Sequence, residues 1–317
     1  MTHPCATSCV ERCAGPAQIR DTWRTAMDER SQPRRNLLFV PGSRPDRFAK
    51  ALAHRPDMVT VDLEDAVIPA HKDHARDQAM ALFDGSSGGR GDGPGDGIER
   101  VVRINPLRTP FGLRDLLALT LHPSPPDGVM LPKVESADEV RIVHALLQRA
   151  ARPIGLHVII ESNPGLDQAL AIAGACGSMR SLLFGGVNMA AELGAALDFS
   201  SMLYARSRVV HAAASFGLDA IDVPWLDLED MDGLREECRL VQALGFTGKA
   251  TIHPKQLAVV NEVFTPDAER IAWARRVIEA FEGASDGLVV LDGKLVEILV
   301  VRSASRTLAI ARATGVA

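Results

Sequence analysis

Between Arg35 and His253 the chain repeats one pattern: a short apolar run, a break at Gly, Pro, Asn or an acid, and then a stretch with helical signals. Strands are predicted at residues 36–40, 58–62, 99–104, 128–131, 157–160, 181–184, 220–223 and 249–253. Helices are predicted at 46–54, 71–83 and 137–149. Eight strands with intervening helices in about two hundred residues specify an α/β protein of the (β/α)8 barrel class, over residues 34–264.

The flanking segments read differently. Residues 1–33 lack a sustained apolar period and a signal-peptide core, so they are expected to be a disordered or loosely attached tail. Residues 85–97 hold seven glycines in thirteen positions and read as a flexible surface loop; they match neither phosphate-binding fingerprint. From residue 265 a C-terminal extension is expected: a long helix over 268–282, a strand-like stretch at 287–290 and a last helix from Ser305.

Composition narrows the function. The 317 residues are 46% hydrophobic and 24% charged, enough for one large core. A formal charge of -5 leaves no electrostatic footprint for nucleic acid, and no apolar run is long enough to span a bilayer, so a cytoplasmic protein is expected. Three of the five cysteines, Cys5, Cys9 and Cys13, fall in the first thirteen residues. They lack the second cluster that a zinc site needs, and such usage fits a reducing compartment.

Polar residues interrupt the apolar pattern at the ends of the strands. In the stretch GLHVIIESNPG, the run stops at Glu161, and Ser162, Asn163 and Pro164 supply helix-starting chemistry immediately after it. Glu161 therefore stands at a strand's C-terminal end, the edge where parallel α/β proteins bind ligands; a salt bridge to a neighbouring strand end is the alternative. Asp62, Glu64 and Asp65 crowd a second such end and need a metal, an arginine or bulk water to stay ionised. Arg103, inside an apolar strand, must meet a carboxylate or a phosphate, since burying it unpaired costs several kcal/mol. After the sixth strand, Gly185 and Gly186 are expected to admit a ligand to the backbone, and Asn188 to open a helix.

The motifs LLFVPGSRPDRFAKAL, VDLEDAVIPAHKDHAR, VRIN, LPKVESADEV, GLDAID, GFTGKATIHPKQ and DGKLVEILVVRSA stand in that order from about Arg34 onward. In this series the chain resembles the citrate lyase beta-subunit-like branch of the HpcH/HpaI aldolase family. The resemblance implies a TIM barrel of the pyruvate/phosphoenolpyruvate type, usually trimeric, with the C-terminal extension packing on a neighbouring subunit. It further implies Mg²⁺ as cofactor and an acyl-CoA thioester of a hydroxy acid, such as malyl-CoA, citramalyl-CoA or a citryl unit, as substrate.

By the same resemblance Glu161 and position 188 are the metal ligands, and Arg103 grips the substrate carboxylate. Asp62, Glu64 and Asp65 hold metal-bound water or orient Arg103. Lys50 meets the thioester or pantetheine side, Ile252 and His253 make backbone contacts, and Phe39 lines the same wall. Glu297, reaching the barrel mouth of a neighbouring subunit, removes an α-proton. The chain departs from the family where Asn188 replaces an Asp ligand, where Glu161-Ser162-Asn163 replaces Glu-Thr-Ala, and where Leu295-Val296-Glu297 replaces Met, a hydrophobic residue and Asp. The expected function is a Mg²⁺-dependent carbon–carbon lyase or the reverse synthase. The alternatives are an aldolase on a free α-keto acid without CoA and a non-catalytic family member.

Overall fold

The computed structural model describes residues 32–84, 97–282 and 289–316. Arg34–Phe264 forms one compact unit, and the residues from Thr265 onward belong to a second. The expected N-terminal tail and the glycine-rich loop lie outside the described residues except at their ends.

In the first unit eight parallel strands close into a barrel: β1 Asn36–Pro41, β2 Met58–Asp62, β3 Glu99–Arg103, β4 Gly128–Leu131, β5 Gly155–Ile160, β6 Met179–Phe184, β7 Asp219–Asp222 and β8 Gly248–Thr251. Pairing of Leu37 with Ala250 closes β1 on β8 and removes every sheet edge. Alternation along the strands sorts the apolar residues. Leu37, Met58, Val101, Met130, Ile159, Leu183, Ile221 and Ala250, one from each strand, pack together inside the barrel. Their neighbours Leu38, Val59, Val102, Val129, Val158, Leu182 and Ala220 face the helices in the larger core. With a period of two, the residues two places beyond that interior layer also point inward, at the C-terminal mouth. Phe39, Arg103, Glu161 and Gly185 occupy these places, and Asp62 lies four beyond Met58.

Two places before the layer lies a polar plug. Arg34 bonds Glu99 (Nη2–Oε1 2.9 Å) and Asp219 (Nη1–Oδ2 3.1 Å), while His157 meets Ser181 Oγ at 2.8 Å and Glu99 at 3.4 Å. Burial pushes the Glu99 carboxyl up, but His157 and Arg34 outweigh it and hold it well below the usual carboxylate range. A Cβ at Gly128 would stand 2.7 Å from His157 Nε2, so that glycine makes room for the ring. Outside the barrel, Lys249 reaches Asp222 and Glu237 at 2.6 Å each, and Arg206 bonds the same two carboxylates, which balances four charges in a nearly dry site.

The second unit contains the long helix Ala268–Glu282, a hairpin of Val289–Leu291 with Lys294–Val296, and the last helix Ile298–Ala313. Asp292 and Gly293, both at positive φ, form the two-residue turn that right-handed strand twist favours. Its small core brings Ala274, Val277 and Phe281 against Val296, Val301 and Ala304. The last helix starts seven residues before the expected Ser305. Its cap residue Glu297 makes no side-chain capping bond, so the start carries no local signal.

Candidate active site

The ends of β1, β2, β3, β5, β6 and β8 and the loops after them build the mouth. At the end of β2, Asp62 turns back on its own loop and accepts from the backbone N–H of Glu64 (2.8 Å) and Ala66 (3.1 Å). The same two oxygens receive Arg103 from β3, with Nε–Oδ1 at 2.7 Å and Nη2–Oδ2 at 2.6 Å. Strand pairing makes this possible, since Asp62 stands opposite Arg103 in the β2–β3 register. Arg103 Nη1 lies 3.0 Å from Glu64 Oε2, and the guanidinium stacks on the Phe39 ring at 4.9 Å. Burial opposes the arginine charge, but Asp62 and Glu64 outweigh it and raise its pKa above the ordinary value. Two of the five guanidinium N–H groups are spent on Asp62, and Nη1 faces Glu64 without hydrogen-bond alignment, which leaves N–H groups for a ligand.

Glu64 sits between two cations. Lys133 Nζ approaches its Oε1 at 2.7 Å and Arg103 its Oε2 at 3.0 Å, yet neither oxygen has a partner in hydrogen-bond alignment among the described residues. Burial dominates, and the carboxyl is pushed up to about 7. Asp65 is exposed and 3.6 Å from Lys133. Of the three acids expected to hold metal-bound water or to orient Arg103, Asp62 and Glu64 are the two in contact with the guanidinium.

Glu161, 4% exposed at the end of β5, has a partner for each oxygen. Oε1 accepts from the backbone N–H of Lys133 (2.8 Å) and Oε2 from Asn188 Nδ2 (2.6 Å). Burial raises its pKa against these bonds. Ser162 caps the following helix turn, accepting from Gly165 N at 3.2 Å as its sequence position suggested. Gly185 borders the cavity at the mouth, and it also makes room for a side chain. A Cβ at Gly185 would stand 2.3 Å from Glu161 Cβ, so the freed space holds the Glu161 side chain. The helix Gly186–Leu193 starts at Gly186 with Gly185 at its cap, and Asn188 therefore lies in its first turn and does not open it. Glu192, one turn on, accepts from Asn163 N at 2.6 Å.

A cavity of about 1100 Å³ opens above these residues. Arg103, Glu161, Asn188, Asp62 and Asp65 line its floor, with Phe39, Lys50, Ile252 and His253 on its walls. All the predicted site residues of the barrel except Glu64 thus border one space. Lys50 is largely exposed, 4.0 Å from Asp46, and Ile252 and His253 follow β8, which ends at Thr251. Glu297 belongs to the second unit, where its side chain is exposed. Sequence reasoning missed three supports. Lys133 is one, and its location after Pro132 in LPKVES offered a signal. Lys72, whose Nζ bonds the Leu63 and Glu64 carbonyls and the Asn105 side chain, ties down the acidic loop. Asp115 in turn holds Asn105 through its N–H (2.9 Å) and Nδ2 (2.7 Å).

Fold and site together define a class: a closed parallel barrel whose C-terminal mouth presents a buried carboxylate beside an acid-clamped arginine. Residues 35–254 match the profile of HpcH/HpaI aldolase/citrate lyase. The chain is similar to mitochondrial citramalyl-CoA lyase of Rattus norvegicus, 32% identical over 298 residues that cover 88% of this chain and 86% of that protein. It is also similar to L-malyl-CoA/beta-methylmalyl-CoA lyase of Cereibacter sphaeroides, 33% identical with 86% and 93% covered. The crystal structure of CitE from Mycobacterium tuberculosis with magnesium, acetoacetate and coenzyme A superposes with a TM-score of 0.68 at 33% identity, covering 89% of this chain and 99% of that one. The chain belongs to the HpcH/HpaI aldolase/citrate lyase family.

Proposed function

We propose that the protein is a Mg²⁺-dependent carbon–carbon lyase, or the reverse synthase, acting on a β-hydroxyacyl-CoA of the malyl-CoA, citramalyl-CoA or citryl-thioester kind. The observation that carries this reading is the clamped Arg103, which spends two N–H groups on Asp62 and keeps others for a ligand on the cavity floor it shares with Glu161. The names of the similar lyases, and the magnesium, acetoacetate and coenzyme A in the CitE crystal structure, support the substrate class.

The donor set fits a magnesium ion completed by ligand oxygens. Glu161 offers a carboxylate whose oxygens each keep a lone pair, and Asn188 offers an amide oxygen. It is not an all-protein cage: among the described residues no three His, Cys, Asp or Glu side chains form a metal-binding group. Glu161 and Asn188 would hold the cation, which would supply Lewis-acid polarisation of the carbonyl of the keto-acid half.

The remaining steps fall to side chains. Arg103 binds the substrate carboxylate, and its fork fixes the orientation of the reacting carbons. In cleavage the β-hydroxyl loses its proton, the bond between the α- and β-carbons breaks and the β-carbon becomes a carbonyl. The electron pair stays on the thioester α-carbon, which takes up a proton to give the shorter acyl-CoA. The reading assigns that transfer to Glu297 of a second copy. Lys50, with Arg44, Arg47 and Lys255 on the cavity wall, faces the CoA phosphates. Leu113, Leu117 and Leu121, exposed at i, i+4 and i+8 on the helix Pro110–Leu121, support assembly into a homo-oligomer, which we take to be a trimer. Among the described residues no helix is long and apolar enough to cross a membrane, and a cytoplasmic location is part of the proposal.

The test is incubation of the full chain and Mg²⁺ with malyl-CoA, citramalyl-CoA or citryl-CoA, with the released keto acid trapped as its hydrazone. The expected result is hydrazone formation matched by appearance of the shorter acyl-CoA. Turnover of free hydroxy-keto acids without CoA binding would shift the reading to an aldolase, and no turnover and no CoA binding would overturn it.

A further inference from the structure

Asn188 differs from the carboxylate expected at its position in charge and also in what it does to Glu161. Its Nδ2 donates to Glu161 Oε2 at 2.6 Å, a charge-assisted bond that two carboxylates could not form. With the Lys133 N–H on the other oxygen, the Glu161 carboxylate has a donor on each side. The amide oxygen of Asn188 then points away from Glu161, because facing a carboxylate oxygen it would be repelled. For both residues to ligate one cation, that bond must break and the amide must turn to present Oδ1.

Resting on the proposed function, we infer that Asn188 makes the metal-free site self-satisfied, so that this chain takes up Mg²⁺ together with a chelating oxyanion and not beforehand. Two observations lead there. The protein supplies one charged ligand, and the cation competes with an internal hydrogen bond for that ligand. A dicarboxylate or α-keto acid restores the missing negative charge and the missing oxygens, so ion and ligand each raise the other's affinity by the same factor. With an aspartate in this place, two carboxylates would face each other without a proton or a cation, and metal binding would relieve that repulsion. The substitution thus sets an order of assembly: the anion is the condition for the metal.

Calorimetric titration of Mg²⁺ into the full chain, with and without saturating oxalate, tests this without reference to turnover. The wild type is expected to bind Mg²⁺ about tenfold or more tightly with oxalate present. Asn188→Asp is expected to bind Mg²⁺ alone about tenfold more tightly than the wild type, to gain less from oxalate, and to melt at a lower temperature when metal-free. Equal Mg²⁺ affinity in the wild type with and without oxalate overturns the inference, and this comparison stands even if Asn188→Asp fails to fold. Identical titrations of the two proteins overturn it as well. Failure of Mg²⁺ to bind even with oxalate defeats the proposed function itself, whereas tight binding without oxalate defeats only the inference.

Discussion

Glu161 is bonded by the main chain of Lys133 and not by its ammonium: the N–H donates to Oε1 at 2.8 Å while Nζ goes to Glu64 at 2.7 Å. One residue thereby spaces two carboxylates. It does so from a left-handed backbone at φ 51°, unusual for a side chain other than Gly, Asn or Asp.

That geometry separates two contributions of Lys133. Lys133→Gly relieves the backbone and keeps the N–H, so thermal stability is expected to stay within about 1 kcal/mol of the wild type. Without the ammonium, lyase turnover should fall because Glu64 loses a counter-charge beside Arg103. A large drop in melting temperature with unchanged kcat would refute this division.

Arg103 is the residue for which a conservative change is expected to fail. Lys cannot reproduce the two parallel bonds to Asp62, so Arg103→Lys should lower kcat/KM roughly a hundredfold with the fold retained. Arg103→Leu leaves Asp62 and Glu64 buried without their cation and should cost about 3–5 kcal/mol of stability by denaturant unfolding. Wild-type kcat/KM in the lysine variant would remove Arg103 from substrate binding.

Glu64 predicts a pH dependence. Its pKa in the folded chain, about 7, lies above that of an exposed glutamate, so folding takes up a proton in between. The stabilisation is complete below about pH 4.5 and is lost as pH rises through 7. In Mg²⁺-free buffer, unfolding free energy should therefore decline from pH 5 to pH 8 through this group, by at most about 3 kcal/mol. Glu64→Gln should remove that share of the slope, and parallel pH profiles for the two proteins would count against the assignment.

Gly185 tests whether packing sets the Glu161 position. Gly185→Ala places a methyl 2.3 Å from Glu161 Cβ, which the strand ends must yield to accommodate. A loss of about 1–3 kcal/mol is expected, together with weaker Mg²⁺–oxalate binding. A variant as stable as wild type, with unchanged Mg²⁺–oxalate binding, would show that the glycine is not needed there.

Local chemistry alone made much of this legible. Apolar runs alternating with helix signals specify parallel strands covered by helices, and the acids at their ends mark Asp62, Glu64 and Glu161, because such residues interrupt a period that burial would otherwise continue. The Ser162 cap is written within three residues of its acceptor's partner, and its helix starts as expected. Other features depend on residues far apart in the chain. That Arg103 is clamped by Asp62 follows from the β2–β3 register, across 41 positions, and that Gly185 makes room for Glu161 follows from β5 lying beside β6. The start of the last helix at Ile298 is decided by packing against the preceding long helix, since its cap position carries no bonding side chain. The pairing of Asn188 with Glu161 is of the same kind. The sequence determines that an amide stands at position 188; only the tertiary structure decides that this amide donates to Glu161, because the pairing of β5 with β6 brings the two strand ends within hydrogen-bond reach.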